Sequence, residues 1–122
     1  MYLSDVRGFS VLPNIYIYTI PKEQLPSLPA DTVFCTLCGG DVCCGTREPT
    51  DALRPVDRLT KCSIYGMGFC GAKGLTPYFA RFCTQSRLSP RFISVSDMGI
   101  SFFLPEEETT GLFDNLEKFF PI

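Results

Sequence analysis

Four of the chain's seven cysteines fall within ten residues, Cys35, Cys38, Cys43 and Cys44, in the stretch "CTLCGGDVCC". Two thiolates separated by two residues can reach one tetrahedral zinc ion at about 2.3 Å. Gly39 and Gly40 let the backbone turn tightly behind them and aim amides at the sulfurs. The sequence contains no histidine, so a zinc site would be built from cysteines, with an Asp or Glu as the other available ligand. Cys62 and Cys70 flank a strand and a turn and supply the second pair. The expected metal ligands are therefore Cys35, Cys38, Cys62 and Cys70, with zinc as the cofactor and Cys43 able to replace one of the second pair. Two other states of the same thiols stay open, buried free cysteines packed as small hydrophobes and disulfides.

The six residues Cys35 to Gly40 resemble the knuckle shared by zinc ribbons and treble clefs. That resemblance implies a closed structural metal site, although a complete ribbon carries a second Cys-x-x-Cys and this chain has none. A thioredoxin-like redox pair would need a helix to start at the first cysteine, and Gly39-Gly40 stands where that helix would continue. Cysteine or serine catalysis with a histidine base is excluded by composition.

A second pattern, Gly66-Met67-Gly68-Phe69-Cys70-Gly71, has the G-x-G-x-x-G form. It follows the strand-like "CSIY", and Asp97 ends the later strand "RFISVS". Residues 61–97 thus resemble the dinucleotide-binding fingerprint, which implies glycines admitting a pyrophosphate and an acid holding a ribose hydroxyl. Pro77 falls where the fingerprint helix should already be running. The segment after 97 reads as a hairpin return, where a doubly wound half needs another crossover. The expectation is accordingly that "FISVS" pairs antiparallel with "ISFFL", that Cys70 points inward, and that Gly66 and Gly68 occupy turn dihedrals favouring glycine.

The net charge of −2 hides a segregation. Residues 54–91 hold seven bases, Arg54, Arg58, Lys61, Lys73, Arg81, Arg87 and Arg91, against Asp57 alone. The flanking thirds are acidic. Such a middle could face a polyanion, or it could pair with the acidic ends across the fold. Tyr16 and Tyr18 could stack bases, but they lie outside the basic third.

These side chains must be placed by short elements, since ten prolines and ten glycines punctuate the chain. "NIYIYTI" (14–20) alternates and reads as a strand. "PKEQLPSLPA" (21–30) reads as a loop or single helical turn, "TVFCTLC" (32–38) as a strand, and 46–58 as a polar connector. "KCSIY" (61–65) is a strand and 66–74 a glycine-rich loop. Residues 76–87 form a helix capped by Thr76, with Phe79, Phe82 and Cys83 on one face. Residues 91–104 form a hairpin turning at Asp97-Met98-Gly99. Residues 109–120 form an amphipathic helix capped by Thr109 or Thr110, with Leu112, Phe113, Leu116, Phe119 and Phe120 as its apolar stripe. The C-terminal "FFPI" is expected to dock into the core.

At 122 residues and 45% hydrophobic, the chain is expected to form a single domain, 1–122, burying roughly 65% of its unfolded surface. No apolar run approaches the ~20 residues that span a bilayer, and Asp5 and Arg7 interrupt what would be a signal peptide. The expected setting is intracellular, cytoplasm or nucleus, and not secreted. The fold class is α+β, a small mixed and mostly antiparallel sheet with two or three short helices and a zinc-stabilised cysteine loop. The function expected is that of a non-catalytic protein-interaction module, accessory or regulatory and of a kind that viruses encode, able to oligomerise with an unidentified protein partner. The alternatives are a nucleic-acid or nucleotide binder using the 54–91 bases and the Gly66–Gly74 loop, and a structural virion component with oxidised cysteines.

Overall fold

The computed structural model describes residues 5–122, and all but the side chain of Cys38 within them. The elements, in chain order, are β1 (Val6–Pro21), β2 (Thr32–Cys38), β3 (Asp41–Thr46), β4 (Asp57–Gly66), α1 (Leu75–Gln85), β5 (Phe92–Ser96), β6 (Gly99–Leu104) and α2 (Leu112–Phe119). Short 3₁₀ turns lie at Lys22–Ser27, Phe69–Gly71 and Glu106–Glu108. The six strands hydrogen-bond in the order β2-β3-β1-β4-β6-β5.

The chain divides into two compact units, residues 13–59 and residues 1–12 with 60–122. The division cuts β1 just before Pro13-Asn14. Proline has no amide to give a ladder, and Asn14 sits at a φ of 59°, a left-handed conformation asparagine tolerates better than most. The long strand therefore carries a proline and a left-handed residue at the boundary between the two units.

In the unit holding residues 60–122, the strand order is β1-β4-β6-β5. β4 pairs antiparallel with β6 through Cys62↔Phe102 and Ile64↔Ile100, and β5 pairs antiparallel with β6 through Ile93↔Phe102 and Val95↔Ile100. From β4 onward the chain runs strand, helix, strand, strand, helix. The strand beside β4 comes from the N-terminal end. This is the split β-α-β-β-α-β, or ferredoxin-like, arrangement, with its last strand supplied by the start of the chain. The two helices lay Leu75, Phe79, Phe82, Cys83, Leu112 and Leu116 on Cys62, Ile64, Ile100, Phe102 and Leu104. Phe82 is the centre of an aromatic cluster, within 5.5 to 6.2 Å of the rings of Phe102, Phe119 and Phe120 in edge-on geometry. Such pairs add about 0.5–1.5 kcal/mol each beyond area burial.

The helix spacing in the sequence is realised, with its caps moved. Gly74 and Gly111 hold the N-cap positions. Thr76 is already inside α1, and the Thr109 hydroxyl donates to the Glu106 carbonyl at 2.7 Å, closing the preceding 3₁₀ turn. Phe113 does not join the apolar stripe and is exposed, whereas Phe120 docks fully into the core.

In the unit of residues 13–59 the order is β2-β3-β1-β4, the same strand plan. The crossover that should be the first helix is the 3₁₀ turn Lys22–Ser27, and the second is an irregular stretch, 47–56. Pro21, Pro26 and Pro29 punctuate the first of these segments, and Pro49 and Pro55 the second. Proline inside a helix removes a bond and clashes with the preceding turn. The buried apolar residues here are Ile15, Ile17, Tyr18, Ile20, Val42, Cys43, Cys44 and Leu59; Tyr18, Ile20, Val42 and Cys44 form one cluster, with Tyr16, Leu28 and Leu53 against it. Hydrogen bonds fix the irregular stretch: the Thr50 amide donates to the Tyr18 hydroxyl at 2.9 Å, and the Val56 amide to the Ile17 carbonyl at 2.7 Å.

Candidate functional site

The Gly66–Gly74 loop begins where β4 ends and is held on both sides. The Gly66 amide donates to the Met98 carbonyl at 3.0 Å, Met67 to Asp5 at 3.3 Å and Phe69 to Asp97 at 3.2 Å. Gly68 is left-handed at φ 74°, as expected, whereas Gly66 is needed for close approach. A Cβ there would stand 2.0 Å from the Asp5 carbonyl oxygen. The dinucleotide resemblance does not survive this geometry. β6 lies between β4 and β5 and is antiparallel to both, and the Gly71 amide is spent on the Gly68 carbonyl at 3.2 Å. Cys70, expected to point inward, is exposed on the 3₁₀ turn.

Beside the loop, α1 leaves β5 and β6 enough to form an apolar cleft of about 260 Å³, lined chiefly by Leu75, Phe79, Cys83, Ile93, Val95 and Ile100. Ile93 and Val95 alternate with Ser94 and Ser96 along β5, so they face α1, yet they remain 54% and 43% exposed. Burial, and secondarily the Glu108 carboxylate, push the Cys83 thiol up to about 11, so it is neutral at physiological pH. The cleft is uncharged and suits the apolar part of a small molecule. In the sequence these positions read only as hairpin and helix faces. The signal for an open cleft was the absence of any charge on an outer strand, where charges usually guard the edge.

On the other side of the same strands, Ser63, Tyr65, Ser96, Met98 and Ser101 border a shallower depression of about 220 Å³. The Ser63 and Ser101 hydroxyls lie 3.3 Å apart.

The four expected zinc ligands are dispersed over different elements. Cys62 is fully buried in the helix-covered core, where burial pushes its thiol up to about 12. Cys70 is exposed on the turn after β4. Cys35 is exposed on β2, and the Cys38 side chain lies outside the described residues. Among the described residues no group of three or more Cys, Asp or Glu side chains is placed to hold a metal ion. The seven bases are likewise spread out. Arg54 and Arg58 belong to the unit of residues 13–59. The others lie on β4, the glycine loop, α1 and the segment between α1 and β5. Among the described residues no helix is long and apolar enough to cross a membrane.

With strand order and site geometry established, the class is a ferredoxin-like fold, and solved structures sharpen it. No protein-family model and no curated protein matches the sequence. The regulatory subunit of aspartate kinase from Thermus flavus is similar over 96% of this chain and 99% of its own, at 18% identity and a TM-score of 0.69. The ligand-free regulatory subunit from Thermus thermophilus is similar over 94% and 99%, at 17% identity and 0.65. Escherichia coli aspartokinase III in complex with aspartate and ADP matches 98% of this chain at 12% identity and 0.76. This chain spans 35% of that kinase, about a third of the complete enzyme's length. The likeness replaces the expectation of a zinc-stabilised viral accessory module. The fold is that of aspartate kinase regulatory domains, and neither a cysteine metal site nor a viral protein is needed to account for it.

Proposed function

We propose that this chain is a non-catalytic regulatory module that binds a small ligand of the amino-acid class and signals its occupancy to a protein partner. The observation that carries this is the end-to-end likeness to free-standing regulatory subunits, whose whole length this chain matches. E. coli aspartokinase III, 35% of which is matched by this chain, has been solved in complex with lysine and aspartate in a T-state. In this chain the ligand's apolar part would enter the cleft between α1, β5 and β6, whose lining offers apolar contact and no competing charge.

The test is thermal denaturation of the chain against a panel of single amino acids. One that binds should stabilise the fold by about 2.7 kcal/mol at a hundredfold excess over its Kd, which is a rise of several degrees in Tm. Ile93→Asp, at a half-exposed position, should keep the fold and abolish that rise. A panel in which no amino acid shifts Tm, or a shift unaltered by Ile93→Asp, would sink the proposal for this cleft.

A further inference from the structure

β2 and β3 form a hairpin whose two-residue turn is Gly39-Gly40, with Gly39 left-handed at φ 66°. That is the turn geometry that suits a two-residue hairpin. Its register sets Cys38 opposite Asp41, Leu37 opposite Val42, Thr36 opposite Cys43 and Cys35 opposite Cys44. Counting from the closing pair, hydrogen-bonded and non-bonded pairs alternate, and Cys35–Cys44 falls on a non-bonded pair. At such pairs the Cα atoms approach to about 4.5 Å and the side chains stand closest, inside the range a disulfide requires. The two thiols differ in access: Cys35 is exposed and Cys44 is fully buried. Burial first, and then the neighbouring Cys35, push the Cys44 thiol up, in keeping with two sulfurs sharing one face of the hairpin.

We infer that Cys35 and Cys44 form a thiol pair that closes reversibly into a cross-strand disulfide, with Cys35 as the entry point for a small disulfide oxidant of the glutathione type. In the first step the Cys35 thiolate attacks one sulfur of the oxidant, forming a mixed disulfide and releasing one thiolate. In the second the Cys44 thiolate attacks the Cys35 sulfur, the protein disulfide forms, and the second small thiolate leaves. The two protein thiols lose two electrons and two protons in all, and the oxidant is reduced to two thiols. The closed form would tie the outer strand β2 to β3 at its midpoint. This site is separate from the α1–β5–β6 cleft and does not depend on what that cleft binds.

The experiment is equilibration of the purified chain in reduced and oxidised glutathione, followed by alkylation and digestion at aspartate. Cleavage before Asp31, Asp41 and Asp51 puts Cys35 and Cys38 on one peptide and Cys43 and Cys44 on another, and fragmentation assigns the bond. The expected result is a monomer in which a Cys35–Cys44 link dominates, reversed by excess reduced glutathione. Exposed Cys70, as internal comparison, should stop at the mixed disulfide. Cys35→Ser, a surface change, should keep the circular dichroism spectrum and leave Cys44 unmodified. A Cys35 that stops at the mixed disulfide, or a dominant bond to any other cysteine, would overturn the inference. So would Cys44 oxidation that persists in Cys35→Ser.

Discussion

The two compact units share one strand plan and cover it differently. In the unit of residues 60–122, two helices seal one face of the sheet with an aromatic cluster around Phe82. In the unit of residues 13–59, proline-punctuated segments stand where both helices would be, and hydrogen bonds to Tyr18 and Ile17 hold an irregular stretch beside a core that contains no α-helix. The comparison teaches that strand order and helix cover are separable. Both units reach one strand order although only one has helical crossovers, and helix cover requires crossovers free of proline and patterned at 3.6 residues. It also locates stability, since apolar area removed from water is the larger favourable quantity. The helix-covered unit should carry most of it.

The strongest way to break the comparison is Phe82→Ala. Phe82 is fully buried and contacts rings on both helices and β6, so truncation should cost about 3–5 kcal/mol, read as a lowered urea midpoint. A loss below 1 kcal/mol would mean that the cluster is not the main source of stability.

A second effect follows from pH. Burial raises the Cys62 thiol from its ordinary value of 9.0 to about 12. The folded state therefore favours the neutral thiol. Its contribution is complete below pH 9 and is lost progressively as pH rises from 9 toward 12. Denaturation free energies measured across that interval should fall, and Cys62→Ala should flatten the fall. An equal decline in both proteins would assign the alkaline loss elsewhere.

The smallest effect belongs to the other unit. Tyr18→Phe removes the acceptor for the Thr50 amide while keeping the ring, and should cost about 0.5–1.5 kcal/mol. Hydrogen exchange at Thr50 should quicken with it. No change in either would show that the irregular stretch is held by apolar contacts alone.

Much of the architecture was legible before any coordinates. The alternation in 14–20, 61–65 and 91–104 marked strands, and the antiparallel pairing of "FISVS" with "ISFFL" followed from the turn between them. The apolar spacing of 76–87 and 109–120 marked both helices. β3 was hidden because "DVCCG" is read first for its thiols, although Gly39-Gly40 between two β-like segments is itself a hairpin signal.

The cysteines show where local sequence stopped determining the outcome. Spacing alone put Cys35, Cys38, Cys62 and Cys70 within reach of one ion, because two thiols three positions apart suit zinc whenever the chain returns with two more. Whether it returns is a matter of strand order, fixed by contacts between residues far apart in the chain. That order sends Cys62 into the helix-covered core and leaves Cys35 on the outer strand β2, opposite Cys44. The same holds for the apolar cleft, whose walls come from α1, β5 and β6. The sequence by itself determined the local elements, since periodicity, turn chemistry and proline act over a few residues. Only the tertiary structure decided which thiols meet and where a ligand could enter, because both depend on which strands become neighbours.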